Sequence, residues 1–414
     1  MQVSETVEIT GHLMDSGILS RILDDIREYA GDYTMERFTV GHDAHDPSHA
    51  TITVAAEDDE ALQRMLMRLQ THGVNMVDPG EAVTSEAELD GVFPDGFYST
   101  TNLETRVRVG GRWVSVENPE MDCGLVVLGD GDSLRVRTIP MSDVKAGMRI
   151  VCGASGLKVT TLVPARGSGE TFGFMESEVS SEKPQALLVR QVAEGMRQAK
   201  AAGLKVLWVG GPGVVHTGAS PAMVALVEAG YVDVLFAGNA LATHDIEAAL
   251  YGTSLGVDLA QGRGVEHGHE HHIRALNTIR KAGSIRAAVE QGVLTGGIMH
   301  ALVEHGKDFV LVGSVRDDGP LPDVYTDVLE GQRAMRAHVE GAGYCLMVAT
   351  MLHAVATGNI LPASVPLACV DINPATVTKL ADRGSSQARG IVTDVGLFLE
   401  QLALELVPGY RGPR

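Results

Sequence analysis

The sequence predicts an α/β protein: a C-terminal parallel-sheet domain, preceded by a ferredoxin-like α+β module and a small β-rich domain. Three observations predict it. From Pro184 onward apolar runs alternate with helical patterns, as in a parallel sheet covered by helices on both faces. Between Val92 and Glu182 short alternating runs crowd together, as in small barrels and sandwiches. Ahead of these, strand and helix patterns take turns within the length of one small module. The implied boundaries are 1–88, 89–183 and 184–414.

In chain order, Thr6-Val-Glu-Ile-Thr10 alternates as a strand does. Asp15 or Ser16 is placed to cap a helix with Ile18, Leu19, Ile22, Leu23 and Ile26 on one face. A strand at 50–55 leads to a helix over 58–72 that lines up Leu62, Leu66 and Leu69, and 79–95 reads as a linker. Runs at 105–109 and 112–116 flank Gly110-Gly111, a hairpin with a tight turn. Short strands follow at 125–128, 134–139, 148–152 and 157–162. A helix over 186–202 stops at Gly203, and another starts with Ser220 as cap and Pro221 at its first position. Apolar strands fall at 205–209, 232–237, 309–313 and 367–372, while 342–357 reads as an apolar helix.

Composition narrows the partners. Lys plus Arg number 33 against 53 Asp plus Glu, a net charge of −20 that repels a phosphate polymer, so nucleic acid is excluded. The longest apolar run, from Tyr344 to Ala356, is too short to span a bilayer, and the N-terminus carries no signal-peptide pattern. Cys123, Cys152, Cys345 and Cys369 form no CxxC pair and read as reduced, buried thiols. A cytoplasmic protein is expected.

In an open parallel sheet, ligands bind outside the carboxyl ends of the strands, so the segments after each strand are where chemistry belongs. Asp371 ends an apolar run; it either accepts from ribose hydroxyls or caps the turn before Asn373-Pro374. Gly210–Gly218 either presents backbone N–H groups to an anion or is simply a tight strand-to-helix turn. It is not GxGxxG. Arg316-Asp317-Asp318 sets three charges after a strand, with Arg316 suited to a carboxylate clamp. His267, His269, His271 and His272 match no metal-ligand spacing, so no metal is expected, although His272 could carry a proton. His353 reads as a core histidine of the 342–357 helix, where Gly341, Gly343, Ala349 and Thr350 allow close approach to a backbone or cofactor.

Six strings carry a resemblance: FPDGFYSTTNLETRVRVGGRW (93–113), NPEMDCGLVV (118–127), GGPGVVHTGA (210–219), FAGNALATHDIEAALYGTSLGV (236–257), VGSVRDDGPLPDV (312–324) and VDINPATVTKLADRGSSQARGIVTDVG (370–396). They resemble the archaeal-type NAD-dependent ornithine cyclodeaminases, also labelled lysine-oxoglutarate reductase/saccharopine dehydrogenase-like. A similar unit forms the C-terminal part of bifunctional arginine dihydrolase/ornithine cyclodeaminases. The resemblance implies a nucleotide-binding domain like that of deoxyhypusine synthase. It implies NAD held at Asn239, Ala240, Asp317 or Asp318, Thr350, Met351, Leu352, His353, Asp371, Asp394 and Val395. The implied reaction turns L-ornithine into L-proline and ammonia with no net redox change. Hydride leaves the α-carbon, the δ-amine attacks the imine, ammonia departs and hydride returns.

Such chemistry needs a base, a carboxylate anchor and an anion for the distal amine. Glu120, Asp122 and Asp245 are the first candidates, with Asp318 and His244 next; Lys379 is a further base, and Arg106, Arg108 or Arg316 the anchor. Cys123 sits among acids that disfavour its thiolate. The competing readings are an NAD-dependent amino-acid or opine dehydrogenase and a non-catalytic amino-acid/NAD-binding regulator. A homo-oligomer is expected.

Overall fold

The computed structural model describes residues 3–11, 13, 17–41, 46–160, 179–180, 185–254, 257–258, 270–317, 319–382 and 388–412. Two compact units divide the chain: Met1–Gly173 with Asn359–Ser364, and Phe174–Gly358 with Val365–Arg414. Among the described residues no helix is long and apolar enough to cross a membrane.

The first unit begins with β1 (Val3–Gly11), α1 (Ile18–Glu28), β2 (Asp32–Thr39), β3 (Ser48–Ala56), α2 (Asp59–Gln70) and β4 (Asn75–Met76). Its antiparallel sheet has the order β2-β3-β1-β4. Alternate residues of β3, from Ala50 through Ile52 and Val54 to Ala56, are buried under the helices together with Ile22, Ile26, Met65, Leu66 and Leu69. Asp58 caps α2 by accepting from Ala61 N–H at 2.8 Å. The expected caps of α1, Asp15 and Ser16, lie outside the described residues; Gly17, with φ of 66°, precedes that helix.

A seven-stranded sheet follows, built from β5 (Val83–Glu86), β6 (Glu104–Val109), β7 (Arg112–Glu117), β8 (Gly124–Leu128), β9 (Arg135–Ile139), β10 (Arg149–Cys152) and β11 (Leu157–Thr160), in the order β11-β6-β7-β9-β8-β10-β5. Gly110 and Gly111 both have positive φ, 60° and 77°, and close the β6–β7 hairpin. β8 is buried on both faces: Leu125 and Val127 join one apolar cluster and Val126 the other. The expected linker is not all linker. β5 lies inside it and pairs antiparallel with β10, from Val83↔Cys152 to Glu86↔Arg149. Sheet membership thus joins β5 to the β-rich strands that follow it.

The second unit is the parallel sheet. Its strands are β12 (Val179–Ser180), β13 (Lys205–Gly210), β14 (Val234–Ala237), β17 (Asp308–Val312), β18 (Val324–Tyr325), β19 (Ala342–Val348), β20 (Leu367–Asp371) and β21 (Ala388–Val392), and a two-stranded hairpin of β15 (Thr253–Ser254) and β16 (Val257–Asp258) stands apart. The order is β12-β21-β20-β19-β13-β14-β17-β18, with every pairing parallel. The helices are α3 (Gln185–Ala201), α4 (Gly213–His216), α5 (Ser220–Glu228), α6 (Asn239–Tyr251), α7 (His271–Ala282), α8 (Ile285–Glu290), α9 (Ile298–Glu304), α10 (Val328–Val339), α11 (Leu352–Ile360), α12 (Pro374–Asp382) and α13 (Val395–Leu406). Trp208, Leu346, Val370, Met196 and Phe398 meet in one core, where α3 and α13 pack together and α3 lies over β13 and β19.

Two expectations are corrected here. Ser220 is the first residue of α5, not its cap, and makes no capping bond. The stretch 342–357 is not one helix: it is the central strand β19, a turn at 349–351, and then α11. A strand buried on both faces is as continuously apolar as a buried helix, so periodicity alone does not separate them.

Candidate active site

In an open parallel sheet the crevice opens where neighbouring strands send their chains in opposite directions. The neighbours here are β13, which leads towards β14, and β19, which leads towards β20. Their carboxyl ends touch. Gly211 N–H donates to Val348 O at 2.9 Å, and a Cβ on Gly211 would lie 1.8 Å from Ala349 O, so no larger residue fits unless the backbone moves. Ala349 is itself held at a φ of 53°, a left-handed conformation costing a β-carbon residue about 1–2 kcal/mol. Strain of this kind gathers at ligand sites.

Most of the expected cofactor positions surround this point. Thr350, Met351, Leu352 and His353 follow β19 directly, so this group sits after a strand like the others. Gly238 leaves room for the His353 ring; a Cβ there would be 3.2 Å from its Cε1. Burial pushes the His353 imidazole below its usual pKa, against hydrogen bonds to the Val312 and Ala237 backbone and the charge of Asp317. It is therefore neutral at physiological pH.

Asn239 and Ala240 open α6 after β14. The Asn239 side chain is buried and tied: Oδ1 accepts from Thr243 Oγ1 at 3.2 Å and from Leu321 N–H at 3.0 Å, and Nδ2 donates to Asp317 Oδ1 at 3.4 Å. Asp317 Oδ2 accepts from Ser314 N–H at 2.8 Å, which folds the loop after β17 back on itself. Asp371 ends β20, where Oδ1 accepts from Asn373 N–H at 2.8 Å and Oδ2 has no hydrogen-bond partner among the described residues. The turn reading of Asp371 is therefore seen, through Oδ1 alone. Asp394 Oδ1 caps α13 through Leu397 N–H at 2.8 Å, and Val395 is core. Asp318, His267 and His269 lie outside the described residues.

These residues fit a dinucleotide: a glycine-bounded strand-to-helix turn, polar groups at neighbouring strand ends, and one free carboxylate oxygen. Among the described residues, no group of three or more His, Cys, Asp or Glu side chains is arranged to hold a metal ion.

The expected acid and base residues divide. Asp245, on α6, is fully buried, and its two oxygens accept from Ile298 and Met299 N–H, each at 2.8 Å. It caps α9, and Gly297, at φ of 91°, is glycine where a Cβ would meet that carboxylate at 2.8 Å. Burial raises the Asp245 carboxyl to about 6, against the two backbone bonds. The structure makes it a cap with no free face, contrary to its expected role as a base. Nδ1 of His244, its neighbour, lies 3.0 Å from Glu247 Oε2.

Glu120 and Asp122 belong to the first unit. Their NPEMDC loop is held in an unusual conformation, with Asn118 and Asp122 at φ of 48° and 59°. Thr100 pins it: its hydroxyl donates to Glu120 O at 2.6 Å and accepts from Cys123 N–H at 3.0 Å. Glu120 is buried, 3.4 Å from Thr138 Oγ1, and Asp122 is exposed. Arg106 and Arg108 pair with Glu104 and Glu81 at 3.1 and 3.2 Å, Arg316 is exposed, and Lys379 Nζ reaches Met351 Sδ at 4.0 Å.

Known proteins match this arrangement throughout. Residues 4–103 match the LOR/SDH bifunctional enzyme conserved region. Residues 104–189 and 190–402 match the first region and the Rossmann-fold region of the arginine dihydrolase ArgZ-like C-terminal part. The ornithine cyclodeaminase of Methanothermobacter thermautotrophicus is 52% identical over 400 residues, covering 97% of each chain. The crystal structure of ArgZ, an arginine dihydrolase from the ornithine-ammonia cycle in cyanobacteria, superposes with a TM-score of 0.85 at 36% identity, over 98% of this chain and 58% of that one. AgrE, the bifunctional arginine dihydrolase/ornithine cyclodeaminase of Nostoc sp., has been crystallised as a ternary complex with ornithine and NAD+; it matches at 40% identity with a TM-score of 0.53, over 98% of this chain and 57% of that one. The chain therefore belongs to the family of the archaeal ornithine cyclodeaminases and the C-terminal part of the ArgZ-like arginine dihydrolases.

Proposed function

We propose that this protein converts L-ornithine into L-proline and ammonia, with NAD as its hydride carrier. The observation that carries this reading is the junction of β13 and β19, where Gly211 meets Ala349 and the expected cofactor positions gather, in a chain of this family. NAD, when bound, takes a hydride from the α-carbon and gives it back after ring closure.

The chain's own residues bind and orient. The free Oδ2 of Asp371 accepts from ribose hydroxyls, and the turn at 349–353 supplies backbone and the neutral His353 ring beside the cofactor. A neutral imidazole there adds no positive charge next to a ring that itself becomes cationic when oxidised. Asn239 acts indirectly, by fixing Asp317 and the 314–317 loop. Glu120, Asp122 and Asp318 are retained as acid or base candidates, Glu120 and Asp122 on the strength of the strained loop that holds them.

Two finer assignments belong to the same proposal. The order β2-β3-β1-β4 with a helix after β1 and after β3 supports a ferredoxin-like first module. A switch point at β13 and β19 without GxGxxG supports a nucleotide-binding sheet like that of deoxyhypusine synthase.

The test is to incubate the protein with L-ornithine and a catalytic amount of NAD, following proline, ammonia and reduced cofactor. Equal proline and ammonia without accumulated NADH is the expected result. Stoichiometric NADH without proline would identify a dehydrogenase instead, and binding without turnover a regulator.

A further inference from the structure

A line of polar groups runs through α6, and none of the expected cofactor positions lies on it. Glu247 is fully buried. Its Oε2 lies 3.0 Å from His244 Nδ1, and its Oε1 accepts from the Thr253 hydroxyl at 2.9 Å. Thr253 Oγ1 is 2.8 Å from Nδ1 of His271, whose ring stacks on Tyr251. On its other side the His244 ring faces His216, centroids 4.9 Å apart, and His216 Nδ1 is 2.7 Å from Ser254 Oγ. Three histidines, a carboxylate and two hydroxyls from α4, α6, β15 and α7 thus form one continuous line. Asp245, the other acid of this part of α6, is turned to α9 and takes no part.

The line reaches solvent at both ends, at His216 and at the half-buried His271. His216 is exposed and the His244 side chain retains 12% of its accessible area, while Glu247 behind them retains none. His216 also belongs to the segment that leaves the carboxyl end of β13 at the switch point. Its neighbour Thr217 packs on Gly396, where an added Cβ would lie 3.1 Å from Thr217 Cβ and 3.2 Å from Asp394 Oδ1. The His216 end therefore adjoins the start of α13, one of the expected cofactor positions.

We propose that His244 and His216 are a proton-carrying pair for the amine chemistry, with Glu247 as the residue that positions His244. The proposal rests on the ornithine reading above. A Glu247 carboxylate accepts only, so His244 Nδ1 carries the hydrogen and Nε2 is left as the acceptor. Burial, and next the adjoining His244, push the His216 imidazole below its usual pKa, with Glu247 opposing. Of the two adjacent rings only His244 touches the carboxylate, while His216 is held by the Ser254 hydroxyl.

The proton balance suits such a pair. L-ornithine enters with two ammonium groups and one carboxylate. An ammonium nitrogen has no lone pair, so hydride leaves the α-carbon only after a proton has left the α-nitrogen. That proton goes to Nε2 of His244, and the electron pair stays on nitrogen to form the imine. The δ-ammonium loses a proton before its nitrogen attacks the imine. The departing nitrogen takes one as it leaves, and the ring nitrogen takes one after hydride returns, so two protons are given up and two taken back. Proline plus ammonium ion carries the same charge as ornithine, so the pair ends as it began.

The test uses the full chain with NAD and ornithine. Glu247→Gln keeps the shape but not the charge. It should lower kcat about 100-fold with KM for ornithine within about threefold, the usual scale of a misplaced acid or base. Losing the carboxylate removes the charge that favours a cationic imidazole beside it, so the acid limb of kcat should move to lower pH. The imidazole nitrogen resonances of His244, titrated without substrate, should move the same way. His244→Gln should cost a similar factor, and the double variant no more than either alone, as for residues acting through one group. Full turnover in both variants, or a loss of kcat with an unmoved acid limb and an unmoved imidazole titration, would overturn the pair. If Glu247→Gln does not fold, His244→Gln decides: turnover within threefold of wild type overturns the proposal. A wild-type enzyme that forms no proline would instead overturn the ornithine reading, and that is known before any variant is made.

Discussion

Replacing Asp245 by Asn separates a structural carboxylate from a catalytic one. The carboxyl is fully buried against the start of α9 and titrates at about 6 instead of 3.8. The folded protein therefore holds this proton up to about pH 6, whereas the unfolded chain releases it near 3.8. Between those values the unfolded state binds fewer protons, so stability falls as pH rises, and it stays level above the window. A window about two pH units wide corresponds to about 3 kcal/mol of stability lost by the wild type on going from about pH 4 to about pH 8. Asn has no proton to lose and lacks this component. Its lost cap bond adds an offset of about 1 kcal/mol that changes little with pH. The thermal midpoint of Asp245→Asn relative to wild type should therefore rise by roughly 6 °C across the window, at roughly 2 °C per kcal/mol for a domain of this size. Proline formation at optimum pH should stay within about threefold of wild type. A midpoint difference independent of pH would refute the burial argument. A loss of turnover of about 100-fold or more would return Asp245 to the role of base.

Three further outcomes follow from the geometry. Gly211→Ala drives a Cβ into Ala349 O and should raise the Kd for NAD at least tenfold while destabilising the fold by about 1–3 kcal/mol, read by calorimetry and by thermal melts. Asp371→Ser removes the free carboxylate oxygen and should weaken NAD about 10- to 100-fold, the value of one or two charged hydrogen bonds, with NADP weakened less; an unchanged Kd would leave Asp371 only its turn. Burial pushes the Cys345 thiol up, and Cys369 up to about 12, so neither should react with iodoacetamide at neutral pH until the protein unfolds.

The parallel sheet is legible in the sequence because its strands β13, β14, β17 and β20 are apolar runs set between helical patterns. Strand β19 is not. Gly-Tyr-Cys-Leu-Met-Val-Ala has no alternation, being buried on both faces, and the next apolar stretch follows after only three residues, so the two merge into a single helical reading. The cue lies in its ends, Gly341 at φ of 79° and Ala349 at 53°, but Ala349 shows nothing unusual in sequence. β5 is hidden because four mostly polar residues gain their strand character from β10, more than sixty residues later. The cofactor positions implied by the family fall mostly on strand ends, where topology alone would look for them. Asp245 misleads because sequence shows an acid on a helix but not the amides of 298 and 299 folded over it. The Glu247 line escapes notice since its members, at 216, 244, 247, 253, 254 and 271, show no spacing that periodicity would flag.

The central pair of the sheet also governs when the site comes into being. β13 and β19 lie side by side from Lys205↔Ala342 to Gly210↔Val348, so the two lips of the crevice are separated by well over a hundred residues of chain. Parallel pairing over such a loop is slow to form, and domains grow from the N-terminus during synthesis. A nascent chain that has released everything up to α10 holds the glycine turn but not the strand that completes it. Cofactor capture is thus a late event, and the appearance of NAD binding during refolding should coincide with the slowest phase of sheet assembly, not with the collapse that precedes it.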